Sequence, residues 1–375
     1  METREDGIQD GRKYRAVTPV LSADYERARE IVLRHGWNTT CFQIVNPGIE
    51  YWFGADGDSV VGYVSSKKVR VVAGAPVCRE ADLKSVSEAF EQDTRRSGRT
   101  VCYFGAEGRL DRLYHADPEH SFVLLGAQPV WRPGKWAAIV KGDRSIRAQL
   151  NRSRNKGVTV SEWPTDRARN SPELRDCLDS WLAIKGLPPL HFVIEPETLG
   201  RLEHRRVFVA ERSSRVEAFL VLSPIPDRSG WLTEQFPHRS AAPNGTVELM
   251  MDAAIRAVAE EGCEYITLGL SPLSKRAHIE AFDNPVWLRV FLAWMRKHGQ
   301  RFYNFDGLDR FKAKLQPHYW EPVFAISNER EFSGKTLWAI AQAFTENHPI
   351  RVFGNGLIKA VRMEADNLRR WIGNA

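Results

Sequence analysis

Two segments of the chain repeat one pattern, and this repetition constrains the fold more than any other feature. In each segment, apolar residues at helical spacing lead to a glycine, and a short apolar run then leads to a second glycine. The glycines are Gly98 and Gly105 in the first copy and Gly262 and Gly269 in the second, so the spacing is the same. A strand, a helix and a further strand that recur in this order are typical of α/β proteins. The repetition therefore predicts a duplicated α/β unit.

Predicted strands precede the helix of each copy. The run "YWFGADGDSVVGYVSSKKVRVVAGAPV" alternates apolar stretches with glycine-rich turns, and "RVFVAERSSRVEAFLVLSPIPDRSGWLTEQF" indicates three strands joined by polar turns. A helix is predicted from Leu21 to His35, and a second, rich in aromatic residues, over 285–298. We expect Val286, Trp287 and Val290 of that second helix to make core or interface contacts.

The composition indicates a globular, basic protein. The chain has 375 residues, of which 43% are apolar, and 53 Lys and Arg against 47 acids give a net charge of +6. A basic balance favours polyanionic partners such as nucleic acid or anionic lipid. No apolar run approaches the roughly 20 residues that span a bilayer, so any membrane contact is expected to be peripheral.

The cysteines and histidines predict neither a disulfide framework nor a metal site. The five cysteines are scattered and never form a CxxC pair, which favours a reducing cytoplasm. The histidines show no HExxH and no spacing with acids that is typical of metal ligands. The first 13 residues are polar and acidic, which indicates disorder and excludes a secretory signal.

A basic helix is predicted between the two copies, over residues 143–157. Asp143 is placed to cap it, and its apolar positions are few. The pattern fits a charged linker helix and a phosphate-binding helix equally well. The candidate phosphate-binding residues are Arg147, Arg152, Arg154 and Lys156.

The stretch "NFDGLDRFKAKLQPHYWEPVFAI", residues 304–326, predicts a helix, a sharp turn at Gln316 and Pro317, and a strand. Lys312 and Lys314 lie among the aromatic residues of this helix. Two lysines on a short rigid element suit an anionic substrate, whereas the alternative is a solvated pair on a helix surface. The sequence leaves both interpretations open.

The last segment, residues 331–375, predicts an amphipathic helical tail. Leu357, Val361, Ala365, Leu368 and Ile372 recur at helical spacing, and basic residues lie on or near the flanks. Such a helix either packs on its own domain or lies in the plane of an anionic membrane surface.

Three motifs in one order resemble the catalytic domain of the lysylphosphatidylglycerol synthase family. They are "RSIRAQLNRSRNKGVTV", "YITLGLSPLS" and "GLDRFKAKLQPHYWEPVFAI", and the resemblance spans roughly residues 40–326. It implies an α/β fold of two fused GNAT-like acyltransferase units, with mixed twisted sheets flanked by helices. The implied units are residues 14–142 and 158–330, joined by the basic helix 143–157.

The resemblance implies transfer of an aminoacyl group from tRNA to a lipid hydroxyl at the membrane surface, without metal or free cofactor. The implied partners are aminoacyl-tRNA as co-substrate, an anionic lipid or another hydroxyl acceptor, and a separate flippase, since the many-span membrane region of the family is absent. The chain would act in the cytoplasm, on the inner face of the plasma membrane. Where many members have "DLMR", this chain has "WLTEQFPHRSAAPNGTVELMM", which puts the donor amino acid and the acceptor in doubt.

Such a transfer requires positioning of two hydroxyls and stabilisation of an oxyanion, and no covalent nucleophile. "GLSP" after the second glycine-ended strand is the expected source of backbone N–H groups, and a carboxylate beside the pocket could hold the substrate α-ammonium. The "PNGT" run, with Asn244 and Thr246 as caps, fits a helix N-terminus that faces a phosphate and equally a capping turn without a ligand. The predicted catalytic residues are Glu248, Ser271, Lys312 and Glu321. The predicted substrate-binding residues are Glu234, Arg239, Asn244, Gly245, Lys314 and Trp320.

Two other functions compete with this one. An acyl-CoA-dependent GNAT-type N-acyltransferase needs a Q/R-x-x-G-x-G/A loop that leads into a helix, whereas "RNKGVT" lacks the last small residue and leads into a predicted strand. A non-catalytic relative that binds nucleic acid or membrane would need only the basic surfaces. A hydrolase is disfavoured because no G-x-S-x-G elbow is present.

Overall fold

The computed structural model describes residues 22–184, 191–277, 284, 286–288, 290 and 305–345. Its strands, in chain order, are β1 (Glu50–Phe53), β2 (Val60–Ser65), β3 (Val69–Ala73), β4 (Thr100–Ala106), β5 (Ser121–Trp131), β6 (Val158–Trp163), β7 (Arg206–Arg212), β8 (Arg215–Ile225), β9 (Gly230–Thr233), β10 (Tyr265–Thr267), β11 (Ser271–Pro272) and β12 (Tyr319–Ser327).

The α-helices are numbered in the same way. They are α1 (Ala23–His35), α2 (Leu83–Arg96), α3 (Gly108–Tyr114), α4 (Trp136–Gly142), α5 (Arg144–Asn155), α6 (Thr165–Arg169), α7 (Pro172–Ala183), α8 (Thr246–Glu260), α9 (Phe305–Lys314) and α10 (Gly334–Phe344). Within the described residues no helix is long and apolar enough to cross a membrane.

The predicted duplication is confirmed by strand pairing. In the first unit, β1, β2 and β3 form an antiparallel meander, and β3 pairs in parallel with β4 after the helix α2. In the second unit, β7, β8 and β9 form the corresponding meander, and β9 pairs in parallel with β10 after the helix α8. A parallel pair needs a crossover, and the helix between the glycines provides it in both units.

The two units exchange the strands that follow their parallel pairs. Strand β5, which follows β4 in the chain, pairs with β10 of the second unit, while β12, which follows β10 and the two-residue β11, pairs with β4 of the first. Because β12 also pairs with β5, all twelve strands form one mixed sheet. The boundaries of the two predicted domains stay predictions, but the hydrogen bonds show that β12 lies inside the sheet of the first unit.

Helices cover both faces of this sheet. Alternate residues of β3 divide between two cores, with Val69 and Val71 in one and Val72 in the other, as the two-residue period of a strand requires. The first of these cores lies against α1 and the 3-10 helix Cys41–Val45, and the other lies against α2 and α3. A further core packs α4, α5 and α8 against the second unit, and a fourth holds α7.

Most of the predicted elements are confirmed. The opening helix, the six meander strands and the helix, turn and strand of residues 304–326 lie where the sequence placed them, with Gln316 at φ 51° in the turn. Of the predicted aromatic helix, Leu288 is buried, but Val286, Trp287 and Val290 are 65%, 44% and 62% exposed, so these three do not lie in the core and their interface contacts stay a prediction. Residues 1–13 and the tail beyond residue 345 lie outside the described residues.

Candidate functional site

An opening between two strands of the second unit defines the candidate site. Strands β9 and β10 pair in parallel as far as Leu232 and Thr267. Beyond that point Glu234 donates its backbone N–H to Val221 of β8, while the chain after Gly269 forms β11 and pairs with β5. The two strands therefore separate, and Glu234 and Gly269 mark the two sides of the opening.

The corresponding place in the first unit is filled. Beyond the parallel pair of β3 and β4, Gly74 donates its N–H to Phe104 at 2.7 Å. A Cβ at Gly74 would lie 2.3 Å from Thr40 Oγ1 and 2.5 Å from Asn38 Nδ2, so two side chains already occupy this space. Asn38 is fixed there by a 3.0 Å hydrogen bond to Gly105 O. The second unit therefore contains the more suitable site.

A partly buried charge cluster joins the two units beside this opening. Arg228 donates to both carboxylate oxygens of Glu321 at 3.0 and 2.9 Å and to Glu107 Oε2 at 2.8 Å. Tyr265 donates its hydroxyl to Glu321 Oε2 at 2.8 Å, and Gln128 donates an N–H to the same oxygen at 3.0 Å. Glu321 thus lies at the centre of a fixed hydrogen-bond network, on β12 next to β5.

Two carboxylates share one guanidinium in this cluster. Burial raises the pKa of Glu107, and the nearby Glu321 adds to that rise while Arg228 opposes it. Burial likewise raises the pKa of Tyr265, which keeps its phenol protonated as a donor. When both carboxylates are ionised, the cluster has one negative charge in excess. The side chain of Glu321 is 24% exposed, against 2% for Glu107, so the excess charge is accessible at Glu321.

A second carboxylate, Glu234, forms a neutral pair at the opening. Arg205 lies 3.0 Å from Glu234 Oε1, and the two side chains are only 3% and 7% exposed. The same oxygen accepts from Ser223 Oγ and, at 3.2 Å, from Nε2 of Gln43 in the first unit. Glu234 thus lies at the opening, and its charge is balanced within the protein by Arg205.

Lys312 is buried, so the alternative of a solvated lysine pair is wrong for it. Its Nζ donates to the carbonyl oxygens of Gly269 and Leu270 at 2.8 and 2.9 Å. Burial lowers the pKa of Lys312 to about 7, because the charged form loses its hydration and only Asp309 opposes the loss. Lys312 therefore anchors the chain that forms one side of the opening.

The neighbouring Lys314 bridges α9 to α8. Its Nζ lies 3.2 Å from Glu248 Oε1, and its side chain is 35% exposed. The two predicted site residues Lys314 and Glu248 are thus brought together as an ion pair on the α8 side of the sheet. A partly exposed pair of this kind contributes little to stability, on the order of 0–1 kcal/mol.

The predicted caps of α8 are wrong. The N-cap residue is Gly245 itself, at φ 93°, and no side chain caps the helix. Thr246 instead donates its hydroxyl to Pro243 O, and Asn244 is exposed. A Cβ at Gly245 would lie 2.2 Å from Gln149 O, so this glycine allows the helix start to pack on the backbone of α5.

The remaining predicted site residues lie in separate places. Ser271 in β11 is fully buried, and its Oγ has no hydrogen-bond partner among the described residues. Trp320 stacks under the guanidinium of Arg276 at 5.4 Å. Arg239 bonds Val216 O at 2.8 Å and Asp176 at 2.6 Å, on the segment that follows β9.

The basic helix α5 is confirmed, with Asp143 Oδ1 accepting from the Ile146 N–H at 2.9 Å. Arg154 pairs with buried Asp252 of α8 at 2.9 Å, and Arg147 donates to the last carbonyls of α4. Arg152 and Lys156 are exposed and form no ion pair with any described residue. The helix therefore combines structural cations with cations that are available to a ligand.

Other chemistries find little support in the described residues. Burial raises the pKa of the thiols of Cys41, Cys78, Cys102 and Cys177, so they stay protonated at neutral pH. The described residues contain no group of three His, Cys, Asp or Glu side chains that could hold a metal ion.

Sequence reasoning missed the first unit's part in the site. Gln43, Glu107 and Gln128 of the first unit, and Arg228 of the second, belong to none of the recognised motifs. Tyr265 begins the "YITLGLSPLS" motif but was not singled out as a site residue. One signal was present, because the segment "WNTTCFQIVN" places polar residues within an apolar run, and four of them are at most 3% exposed. Buried polar side chains are informative because they require partners.

A sheet made of two β-α-β units, with an opening beyond the second parallel pair, is the architecture of two fused GNAT-like units, and the predicted fold class is confirmed. Residues 29–327 match the family model described as phosphatidylglycerol lysyltransferase, C-terminal. The chain belongs to this family.

Curated relatives are similar over most of the chain. Phosphatidylglycerol lysyltransferase of Staphylococcus epidermidis (strain RP62A) is 24% identical over 328 residues, which cover 84% of this chain and 37% of the relative. The enzyme of the same name from Staphylococcus aureus (strain MRSA252) is 24% identical over 321 residues, covering 82% and 36%. The chain thus spans little more than a third of the length of these relatives.

Two solved structures share the fold. The C-terminal domain of a putative lysylphosphatidylglycerol synthetase from Agrobacterium fabrum has a TM-score of 0.71 and 21% identity, covering 86% of this chain and 98% of that one. L-PGS from Bacillus licheniformis also has a TM-score of 0.71, with 20% identity over 85% and 95% of the two chains.

Proposed function

We propose that the chain transfers an aminoacyl group from tRNA to a hydroxyl of a phosphatidylglycerol-like lipid, and that the opening between β9 and β10 is the reaction site. The accepting hydroxyl attacks the ester carbonyl, a tetrahedral intermediate forms, and the tRNA 3′-hydroxyl leaves with the proton. One ester replaces another, so the reaction is close to neutral in energy and needs no cofactor. Positioning and oxyanion stabilisation are then the main tasks of the protein.

The observation that carries this proposal, together with the family, is the charge cluster at Glu321. An aminoacyl ester has a free α-ammonium, which is a compact cation. Glu107 and Glu321 share Arg228, and when both carboxylates are ionised the excess negative charge is accessible at Glu321. We assign the α-ammonium to Glu321, where a charge-assisted hydrogen bond would hold the ester beside the opening.

Further features suit a polyanionic donor. Helix α5 packs against the start of α8, so its exposed Arg152 and Lys156 lie on the same side of the sheet as Lys314. Phosphate groups of tRNA are the natural ligands of such cations. Among the other predicted site residues, Lys312 and Ser271 would act by shaping the side of the opening that follows Gly269. Action at the inner membrane surface, contact through the tail, and a separate flippase belong to the same proposal.

A single assay tests the proposal. The purified full chain is incubated with tRNA charged with a labelled amino-acid mixture and with phosphatidylglycerol vesicles, and label is followed into the organic phase. Ribonuclease-sensitive transfer is the expected result, and single amino acids then identify the donor. Glu321→Gln should reduce transfer at least a hundredfold, whereas Glu119→Gln, which removes an exposed carboxylate from a surface ion pair, should leave it unchanged. Label that leaves tRNA without reaching lipid would mean a different acceptor, and intact tRNA would refute the transferase.

A further inference from the structure

The first unit contributes a buried polar segment to the junction with the second unit. Residues 37–46 follow α1, and Asn38, Thr39, Gln43 and Asn46 within them are at most 3% exposed. Asn46 bonds Phe192 O at 3.0 Å and accepts from Arg205 at 3.3 Å. Thr39 donates its backbone N–H to Glu107 Oε1 at 2.8 Å. Nearly every polar side chain of this segment thus has a partner that fixes it.

Two side-chain oxygens of this segment, Asn38 Oδ1 and Gln43 Oε1, are buried without a hydrogen-bond partner among the described residues, and of these two residues Gln43 is the one that contacts Glu234 at the opening of the second unit. Its Nε2 lies 3.2 Å from Glu234 Oε1, and only an amide NH₂ can face a carboxylate oxygen, so the orientation of the amide is determined. The other end of the amide, Oε1, is buried and accepts no hydrogen bond from any described residue. A buried acceptor without a donor costs free energy, and native proteins rarely retain one without a reason. A donor from outside the chain is such a reason.

The charges around Gln43 indicate which donor fits. Glu234 and Arg205 form a pair without net charge, whereas the cluster around Glu321 has an excess negative charge when both of its carboxylates are ionised. A cation is therefore favoured at Glu321, while the Gln43 oxygen offers a single neutral acceptor. A neutral hydroxyl donor matches an amide oxygen in a site of this kind.

The location is consistent with the acceptor side of the reaction. Glu234, which holds Gln43, directly follows β9 at the point where β9 and β10 separate. We infer that Gln43 accepts a hydrogen bond from a glycerol-type hydroxyl of the acceptor, so that the first unit takes part in acceptor binding. This inference rests on the proposed function for the identity of the acceptor. Gln43 would be a positioning residue that binds the acceptor and takes no proton in the reaction.

Two substitutions test the inference. Gln43→Met retains the length of the side chain but removes the acceptor, and Gln92→Met makes the same exchange at an exposed position of α2. We expect Gln43→Met to raise the KM for phosphatidylglycerol about tenfold, the factor that corresponds to the loss of one neutral hydrogen bond. The KM for aminoacyl-tRNA should stay unchanged. Gln43→Asn, which shortens the amide by one carbon, replaces Gln43→Met if the latter does not fold.

A binding measurement separates failure of this inference from failure of the proposed function. Glycerophosphoglycerol, the lipid headgroup without acyl chains, is titrated into each protein by calorimetry. Weaker binding by Gln43→Met than by Gln92→Met supports the inference even where no aminoacyl-tRNA is consumed. Equal KM values and equal headgroup binding in the two variants would mean that Gln43 Oε1 takes a structural water only. A raised KM for aminoacyl-tRNA would place Gln43 on the donor side and overturn the inference as well.

Discussion

The two units of the sheet have the same β-α-β arrangement, but they differ in what lies beyond the parallel strands. In the first unit Asn38 and Thr40 occupy that space, and Gly74 is needed because a Cβ would collide with them. In the second unit the strands separate between Glu234 and Gly269, and Lys312 anchors one side. The two units are therefore copies of one scaffold, of which one is open beyond its parallel strands and the other is filled there.

The supporting role of the first unit is specific. Its residues Glu107 and Gln128 reach the charge cluster of Arg228 and Glu321, and Gln43 reaches Glu234. The exchanged strands β5 and β12 hold the site together, because each of them pairs with strands of both units. The first unit is thus part of the site although its own opening is filled.

The largest effect is expected from Arg228→Met, which removes the cation that the two units share. Glu107, with a side chain only 2% exposed, would be left as an uncompensated buried charge. Loss of one partner of a buried pair costs about 3–5 kcal/mol, and transfer should fall below detection. Urea unfolding and the transfer assay measure the two losses. Arg228→Lys, which retains the charge, should recover part of the stability, and a variant as stable as the wild type would show that the cluster does not join the units.

A matched pair of glycine substitutions compares the two openings directly. Gly74 and Gly269 have φ values of 83° and 64°, so alanine at either position is strained by roughly 1–3 kcal/mol. Gly269→Ala should also reduce transfer at least tenfold, since its Cβ would press on Leu232 at 3.1 Å beside the opening. Gly74→Ala should lower the melting temperature, but at temperatures where the variant is folded its transfer activity should match that of the wild type. The reverse pattern would assign the site to the first unit.

Lys312→Met tests the anchor on one side of the opening. The pKa of Lys312 is about 7 in the folded chain and 10.5 in its ordinary state, so between these values the unfolded chain binds more protons. Wild-type stability relative to Lys312→Met should therefore rise with pH across this window, by up to about 1.4 kcal/mol per pH unit. Urea unfolding of both proteins between pH 6.5 and 9.5 gives the difference between their free energies of unfolding at each pH. A difference that does not change with pH would mean that Lys312 stays charged when buried.

The smallest effect on stability is expected from surface cations. Arg152→Ala with Lys156→Ala removes two exposed charges of α5, and Lys67→Ala with Lys68→Ala removes two from an exposed turn of the first unit. In both double variants, each substitution should change the free energy of unfolding by no more than about 0.5 kcal/mol. Only the α5 variant should weaken tRNA binding and reduce its salt dependence, as titrations at several salt concentrations would show. Equal weakening by both would indicate attraction by net charge alone.

Much of the fold was predictable because its signals are local. Asp143 caps α5 as expected, and the helix, turn and strand of residues 304–326 follow from apolar spacing and Pro317. The caps of α8 were predicted wrongly because Gly245 packs on α5, a contact between segments far apart in the chain. Of the predicted site residues, Glu234 and Lys312 lie at the opening and Glu321 lies beside it, but their partners could not be identified from the sequence.

The sequence by itself determined the duplicated α/β pattern, the basic helix, the family resemblance and a set of candidate acids and lysines. Periodicity, capping residues and ordered motifs act over a few residues, so they can be recognised along the chain. Only the tertiary structure decided that β12 lies between β4 and β5, that the first opening is filled, and that Arg228 joins Glu107 to Glu321. These features depend on contacts between distant segments, and on the requirement that each buried polar group find its partner in three dimensions.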